Sequence, residues 1–447
     1  MDTCNAYISI LDESALARAR WLDTQDPSLR PLHGIPIAVK DNIAVQGCRL
    51  TCGSRMLSRH KAPFSATAVR RLEAAGAVIV AKTNMDEFGM GSSGEYSAFG
   101  PVTHPVNSFL SAGGSSAGSA VAVAKGDVPI ALGSDTGGSV RQPAAFCGIP
   151  AIRPTYGTVS RFGLVAFASS MDQIGPMTTC VDDLKTVLGV ISGHDPLDVT
   201  SQNTSRRIHE PEKLPETNRV ATVRNIETLI REPLIRKGMD RVLKILAGGF
   251  TIADPVTGGD PEELLSAYYV ISSAEASSNL ARYDGIRFGG MEEKSPEQMF
   301  SDTIRNLRSR SFGPEVQRRI LAGTAYLSSG FHDELYHRAV TVKHHFQKTI
   351  RDVFTIIDLL VLPTTPTLPF QRGVMTGDPV SMYASDIFTV MASLAGCPAL
   401  NLPVRDPAVF PADMSAGTVP PSIQLIAAPY REDLLFQAAR FLEESWR

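Results

Sequence analysis

Cysteine is scarce in this sequence, with six residues scattered over 447 positions. A disulfide scaffold needs a far denser set, so this class is excluded, and the sparse thiols favour a reducing compartment. Cys48 and Cys52 could begin a metal site, but no second cysteine or histidine pair follows at zinc-finger spacing. The HExxH motif is also absent, despite nine histidines. We therefore predict no metal site.

An excess of charge of one sign is also missing, as are long apolar runs. Lysine and arginine total 43 against 46 aspartates and glutamates, for a net charge of -3. A chain that binds nucleic acid by itself usually has a basic excess, so we expect any contact with nucleic acid to be made through a partner.

No apolar run reaches the roughly 18–20 residues of a membrane-spanning helix. The N-terminal segment has no apolar core of a secretory signal and is no typical transit peptide. We predict a soluble protein without membrane contacts.

Strand and helix periodicities alternate along the chain. A short apolar run over 34–39 predicts a strand that ends in the polar residues Lys40, Asp41 and Asn42. Further segments with a clear period predict helices over 65–75, 181–193 and 434–442, and strands over 77–81, 219–223, 356–362 and 422–427. Such alternation predicts an α/β fold with helices packed on a mixed sheet.

We predict a single domain over residues 1–447, because the alternation continues along the chain. The polar, proline-punctuated segment 195–217 predicts a surface loop, and we interpret it as an excursion within that domain.

Two glycine motifs match known signatures by chance. Residues 89–94 match G-x-G-x-x-G, but a dinucleotide site needs that turn between a strand and a helix, and the flanking residues predict neither. Residues 114–118 match the G-x-S-x-G of a nucleophile elbow, but the preceding segment is polar and broken by proline where the elbow requires a strand.

A larger pattern of glycine and serine carries more information. Residues 111–120 open an Ala/Val-rich helix, and residues 133–143 follow an apolar stretch over 128–132. The two loops bracket one helix and one strand, so their serines can converge in space. Tight Gly/Ser loops also expose backbone N–H groups, which can bind an anion or an oxyanion. Together with a lysine at a strand end upstream, the pattern predicts a catalytic site.

These loops and the strand end at Lys40 resemble the amidase signature family. The resemblance implies a mixed central β-sheet covered by helices on both faces, and a Ser–cis-Ser–Lys triad. It makes Ser139 the nucleophile, Ser115 the bridging serine after a cis peptide bond, and Lys40 the base. It also implies an oxyanion hole formed by the backbone N–H groups of Thr136, Gly137, Gly138 and Ser139. Lys82 and Lys125 are weaker candidates for the base.

Longer stretches resemble one branch of that family, the glutaminase subunits of tRNA-dependent amidotransferases. The matching segments are residues 156–175, 275–285, 312–320 and 382–386. The resemblance implies that glutamine is held by Tyr268, with Tyr269 as the alternative, and by Arg319 and Asp386. The chemistry suits free glutamine, because arginine pairs with its α-carboxylate and aspartate with its α-ammonium group.

The resemblance also implies partners. A B subunit uses ATP and magnesium to amidate glutamyl-tRNA with the released ammonia, a small subunit braces the complex, and tRNA contacts this chain only through that complex. No cofactor is expected in this chain. The chain starts about forty residues later than bacterial members of this branch, which favours a mitochondrial matrix protein, with the bacterial cytoplasm as the alternative.

Two other functions stay open. A stand-alone amidase of small amides would share the triad but would have no need for a carboxylate-binding arginine. A non-catalytic scaffold subunit would have no need for Lys40, Ser115 and Ser139.

Overall fold

One mixed sheet forms the centre of the computed structural model, which describes residues 2–202, 218–288, 300–411, 414 and 417–446. Within these ranges the strands are β1 Tyr7–Ile10, β2 Pro36–Lys40, β3 Val78–Thr83, β4 Ile130–Asp135, β5 Ala151–Arg153, β6 Gln173–Thr178, β7 Arg219–Ala221, β8 Thr251–Ile252, β9 Leu359–Pro363, β10 Ala399–Pro403 and β11 Ser422–Ala427. Their order in the sheet is β1-β3-β2-β4-β6-β5-β10-β11-β9-β7-β8. The pairs of β2 with β3 and β4, and of β7 with β8 and β9, are parallel, and the other pairs are antiparallel.

Helices surround this sheet. The α-helices of the described residues are α1 Asp12–Leu22, α2 Thr67–Ala74, α3 Ala117–Ala124, α4 Arg141–Cys147, α5 Val181–Ile191, α6 Pro233–Leu246, α7 Pro261–Leu280, α8 Phe300–Ser311, α9 Pro314–Tyr326, α10 Arg338–Val353, α11 Pro379–Ala384, α12 Thr389–Ala395 and α13 Glu432–Ser445. Short 3₁₀ turns lie at Pro27–Leu29, Glu87–Gly89 and Ile226–Leu229, and a π-helical turn at His332–His337.

Both faces of the sheet are buried. Side chains alternate across a strand, so Ile37 and Val39 of β2 belong to one apolar cluster and Ala38 to another. The first cluster includes the buried faces of α2 and α5, and the second includes α3 and α4. The second cluster is rich in alanine and small residues, which lets α3 pack closely: a Cβ at Gly118 would lie 2.6 Å from the Asn84 carbonyl oxygen. The predicted α/β fold is confirmed.

The predicted elements are found, with shifted ends. The helices predicted over 65–75, 181–193 and 434–442 are α2, α5 and α13, and the strands predicted over 34–39, 77–81, 219–223 and 422–427 are β2, β3, β7 and β11. The strand predicted over 356–362 begins instead at Leu359, because Phe354, Ile356 and Ile357 donate N–H groups to the last turn of α10. Of the predicted loop, 195–202 contains neither helix nor strand, and 203–217 lies outside the described residues.

Other predictions are resolved by local structure. A 3₁₀ turn precedes Met90, and no helix follows residues 89–94, while no strand leads directly into residues 114–118. Neither glycine motif therefore has the strand–turn–helix context of its signature.

Among the described residues, no helix combines the length and apolarity that a membrane crossing requires. The single domain over 1–447 stays a prediction.

Candidate active site

The predicted base Lys40 and one of the Gly/Ser loops meet at the C-terminal ends of two parallel strands. Lys40 ends β2, and Ser134 lies near the end of β4, which pairs with β2 in parallel. These ends share one edge of the sheet, where open α/β folds bind their ligands. The loop before α3 brings Ser115 and Ser116 to the same edge. The peptide bond between Gly114 and Ser115 is cis, as the resemblance implies.

The amine of Lys40 is fully buried among serine oxygens. Its Nζ lies 2.8 Å from both Ser115 Oγ and Ser116 Oγ, 3.0 Å from Ser134 Oγ and 3.3 Å from the Ser134 carbonyl oxygen. Burial lowers the pKa of Lys40 to about 7, although nearby carboxylates, Asp86 first among them, act in the opposite direction. An uncharged amine has a lone pair that can accept a hydroxyl proton, so Lys40 has the geometry of a base toward Ser115.

The two alternative lysines are held by carboxylates. Lys82 Nζ lies 2.9 Å from Asp41 Oδ1, with both side chains fully buried. Lys125 Nζ lies 3.1 Å from Asp127 Oδ2. The carboxylate of Asp127 raises the pKa of Lys125 against the effect of burial, and a protonated amine makes a poor base. Of the three lysines, Lys40 is the one that contacts the serines.

Ser139, the predicted nucleophile, lies in the turn between β4 and α4 and is partly exposed. Its carbonyl oxygen accepts the N–H of Ser116 at 3.2 Å, which ties the two serine loops together. Within the described residues its hydroxyl has no hydrogen-bond partner, Ser115 included. The structure thus pairs Lys40 with Ser115 directly and places Ser139 on the adjoining loop with an unpaired oxygen. The triad roles stay a prediction.

The loop that carries Ser139 presents unpaired backbone donors. In the part of the chain that the structure describes, the N–H groups of residues 136–139 donate to no acceptor. Asp172 holds the start of this loop, because its Oδ1 accepts the Thr136 hydroxyl at 2.6 Å. Consecutive unpaired N–H groups on a fixed loop can stabilise an oxyanion, which is the role predicted for them.

Glycine is required at two positions of this loop by close packing. A Cβ at Gly137 would lie 2.3 Å from a ring carbon of Tyr268, and one at Gly138 would lie 2.2 Å from Thr389 Oγ1. Gly138 also has a φ of +140°, which side chains rarely adopt. The predicted oxyanion loop is therefore in direct contact with α7, which carries Tyr268, and with α12.

A buried ion cluster fixes the strand end just before the loop. Asp135 Oδ2 accepts Arg141 Nε at 3.0 Å, and Oδ1 accepts Arg141 Nη2 and Arg153 Nη1, both at 3.0 Å. Neighbouring guanidinium groups hold the pKa of Asp135 well below its usual range against the effect of burial. This cluster links the ends of β4, α4 and β5.

The predicted substrate residues lie together next to that loop. Asp386 Oδ2 accepts hydroxyl hydrogen bonds from Tyr269 at 2.7 Å and from Ser92 at 2.8 Å. The guanidinium of Arg319 lies 4.5 Å from the ring centroids of both Tyr269 and Tyr383. The side chains of Asp386, Ser92 and Arg319 are each less than a tenth exposed, whereas those of Tyr269 and Tyr383 are partly exposed. Burial raises the pKa of Asp386 to about 6, while these hydroxyl donors oppose the rise.

The structure gives the two neighbouring tyrosines different positions. Tyr268 packs its ring on Gly137 of the oxyanion loop, whereas Tyr269 binds Asp386 through its hydroxyl. The two rings meet edge to face with centroids 5.0 Å apart. A continuous set of contacts therefore leads from the loop at Gly137 to the carboxylate of Asp386. The substrate-binding roles of Tyr268, Arg319 and Asp386 stay predictions.

Sequence reasoning missed several polar groups of the site. Ser116 and Ser134 contact the Lys40 amine, and Asn42 donates to Ser134 Oγ at 2.9 Å. Ser116 and Ser134 lie in the two Gly/Ser loops, and Asn42 lies at the predicted strand end, so position near Lys40 was the available signal. Ser92 gave no signal of its own, because its contact with Asp386 joins residues far apart in sequence.

All six cysteines lie among the described residues, and each carries a free thiol with no disulfide bond there. Cys52 is buried, and burial raises its pKa well above the usual value, which disfavours the thiolate that zinc requires. The described residues hold one group with metal-ligating atoms within 4.8 Å of one another, His332, Asp333 and His337 on the π-helical turn. None of these three was predicted as a site residue.

Fold and site together define an α/β protein in which a buried lysine amine contacts the serines of two Gly/Ser loops. The chain belongs to the amidase family, whose model matches residues 1–436. It is 44% identical over 455 residues to the A subunit of glutamyl-tRNA(Gln) amidotransferase from Carboxydothermus hydrogenoformans, covering 98% of this chain and 90% of that protein. The protein of the same name from Deinococcus deserti is 45% identical over 448 residues, covering 99% and 89%.

A solved structure agrees with these relatives. The A subunit of glutamyl-tRNA(Gln) amidotransferase from Thermotoga maritima superposes with a TM-score of 0.76 at 35% identity, covering 99% of this chain and 87% of that one. The resemblance stated from the sequence is confirmed. The relatives named here are bacterial, and they give no support to the predicted mitochondrial compartment.

Proposed function

We propose that this chain is the glutaminase subunit of a glutamyl-tRNA(Gln) amidotransferase, which hydrolyses the side-chain amide of glutamine and supplies the ammonia for conversion of Glu-tRNA(Gln) to Gln-tRNA(Gln). Two relatives that match nearly the whole chain, at 44% and 45% identity, support this role in the amidotransferase reaction. The observation that carries the proposal is structural. A buried arginine and a buried aspartate lie next to the loop of Ser139, where a hydrolase of neutral amides would need neither.

The proposed reaction begins at the buried amine. Neutral Lys40 accepts the hydroxyl proton of Ser115, Ser115 accepts that of Ser139, and Ser139 Oγ attacks the amide carbon of glutamine. The backbone N–H groups of residues 136–139 hold the resulting oxyanion. The proton returns through Ser115 to the departing nitrogen, and ammonia leaves. Water then hydrolyses the γ-glutamyl ester, which releases glutamate and restores the Ser139 hydroxyl.

The proposed clamp recognises the amino-acid end of the substrate. Arg319 pairs with the α-carboxylate and Asp386 with the α-ammonium group. Tyr268, packed between the loop and Tyr269, lines the path between the two ends. In this arrangement the clamp fixes the distance from the charged end of glutamine to the oxygen of Ser139.

We propose that the other steps belong to partners. A B subunit binds ATP and magnesium, activates glutamyl-tRNA and receives the ammonia, and a small subunit braces the complex. The near-neutral charge of this chain is consistent with tRNA binding elsewhere in the complex. With bacterial relatives at 44% and 45% identity, we place the complex in the bacterial cytoplasm.

The test is ammonia release by the full chain, co-purified with the subunits that accompany it in its source. The substrates are glutamine, asparagine and a neutral aliphatic amide, and the variants are Ser139→Ala and Lys40→Ala. We expect glutamine to be preferred, and both variants to lose hydrolysis while circular dichroism stays unchanged. Preference for the aliphatic amide would favour a stand-alone amidase, and wild-type turnover by Ser139→Ala would end the proposed mechanism.

A further inference from the structure

A third charged side chain lies behind the proposed clamp. Glu315 is in the first turn of α9, one helical turn before Arg319, and only 2% of its surface is exposed. Its Oε1 accepts Arg319 Nε at 2.7 Å and the Tyr383 hydroxyl at 2.8 Å. Its Oε2 accepts Nη1 of Arg318. Both oxygens of this buried carboxylate are thus occupied by donors that surround the clamp.

These contacts set the direction of the Arg319 guanidinium. The Nε edge faces Glu315, and the guanidinium lies against the stacked rings of Tyr269 and Tyr383, whose centroids are 4.0 Å apart. The buried Nη1 atom of Arg319 has no hydrogen-bond partner among the described residues. A buried donor without a partner lowers stability, so its retention points to a ligand. An acceptor on the substrate would complete this guanidinium.

We propose that Glu315 is a positioning residue that orients Arg319 toward the α-carboxylate of glutamine and thereby sets specificity for an amino-acid amide. The assignment rests on the proposed glutaminase function. Glu315 does not touch the reacting atoms; it acts through Arg319 and through Tyr383, which packs on Tyr269. Without the carboxylate, Arg318 and Arg319 would repel each other, and the guanidinium would lose its fixed edge.

Glu315→Gln is the informative variant, because it keeps the size and an acceptor oxygen but removes the charge. Binding is measured by calorimetry in a Ser139→Ala background, where glutamine is not consumed. We expect the dissociation constant for glutamine to rise by roughly tenfold or more, as for the loss of a charge-assisted contact. In the active enzyme KM for glutamine should rise with little change in kcat. Glu315→Asp, which keeps the charge, should fall between wild type and Glu315→Gln.

A second substrate separates positioning from a general effect on the fold. The probe is 4-aminobutanamide, which is glutamine without its α-carboxylate. We expect Glu315→Gln to leave kcat/KM for this amide unchanged, because Arg319 has no partner on it. Glu334→Gln, at an exposed position on the π-helical turn, is the matched control and should leave both substrates unaffected.

Each contrary result has a distinct meaning. Equal losses for glutamine and 4-aminobutanamide would reduce Glu315 to a structural residue, and unchanged glutamine binding would also overturn the assignment. Wild-type enzyme that neither hydrolyses nor binds glutamine would overturn the proposed function itself, and the assignment with it.

Discussion

At the scale of single residues, the chemistry depends on the protonation of Lys40. A lysine amine in water is almost wholly protonated at neutral pH, with a pKa of about 10.4. Complete burial opposes the charge, and the surrounding groups at Nζ are serine oxygens rather than carboxylates. Burial thus favours the uncharged amine, which the proposed activation of serine requires.

The pH dependence of hydrolysis tests this role. With the pKa of Lys40 lowered to about 7, the amine is protonated below that pH and neutral above it. We expect kcat/KM for glutamine to rise as pH increases through about 7 and then to level off. Initial rates of ammonia release between pH 5.5 and about 9 would measure the profile. A rate that falls over this range would contradict a neutral amine as base.

The residues of the site differ in how far the sequence could predict them. Glycine-rich loops and a strand end are local patterns that indicated a site, and the resemblance to the amidase signature family then assigned Lys40, Ser115 and Ser139 within it. Glu315 was not identifiable, because its role depends on a helical turn that faces Tyr383, a residue far along the chain. Tyr268 and Tyr269 could not be separated either, since only packing decides which ring lies on Gly137 and which hydroxyl reaches Asp386.

At the scale of elements, the loop of residues 136–139, the predicted oxyanion loop, is held against α7 by the contact between Gly137 and Tyr268. There is no room for a methyl group, since the added carbon would lie 2.3 Å from the tyrosine ring. A methyl group at Gly137 would therefore force this loop and α7 apart.

Gly137→Ala is therefore expected to lower kcat for glutamine by roughly 10²-fold or more, because the N–H donors shift from the oxyanion. Gly330→Ala is the matched control, because a Cβ there would have no neighbour within 4 Å. Steady-state kinetics of both variants would measure the effect. Full activity in Gly137→Ala would show that the loop does not hold the oxyanion.

Several individual elements could be predicted, but their arrangement could not. β2, β3, α5 and β11 follow from local periodicity. The order of the sheet places β10 next to β5, and this pair joins two segments that are widely separated in sequence. Local periodicity has no information on such pairings, so the path from the triad to the clamp appeared only in three dimensions.

At the scale of the whole molecule, the cluster around Asp135 connects distant parts of the chain. Besides its bonds to Asp135, Arg141 donates to Gln424 of β11 at 2.8 Å and to Ser393 of α12 at 3.0 Å. Arg153 donates to the Met171 carbonyl oxygen at 2.7 Å. One buried carboxylate therefore accepts hydrogen bonds from two buried guanidinium groups, which also contact the sheet and α12.

Asp135→Asn is expected to reduce the free energy of unfolding by about 3–5 kcal/mol, because it leaves buried guanidinium charge uncompensated. Asp302→Asn, which breaks an exposed ion pair with Arg305, should change it by less than about 1 kcal/mol. Urea unfolding would measure both. Since the folded-state pKa of Asp135 is lowered, its stabilisation is present above the unfolded pKa and is lost as pH falls. Equal stabilities of the two variants would contradict this role of Asp135.

The most direct measurement of the central claim is the site of the covalent intermediate. The full chain with its partner subunits is mixed with glutamine, quenched in acid within a turnover, digested and analysed by mass spectrometry. We expect a γ-glutamyl ester on Ser139, which is absent from Ser139→Ala. An adduct on any other residue, or none at all during rapid hydrolysis, would contradict it.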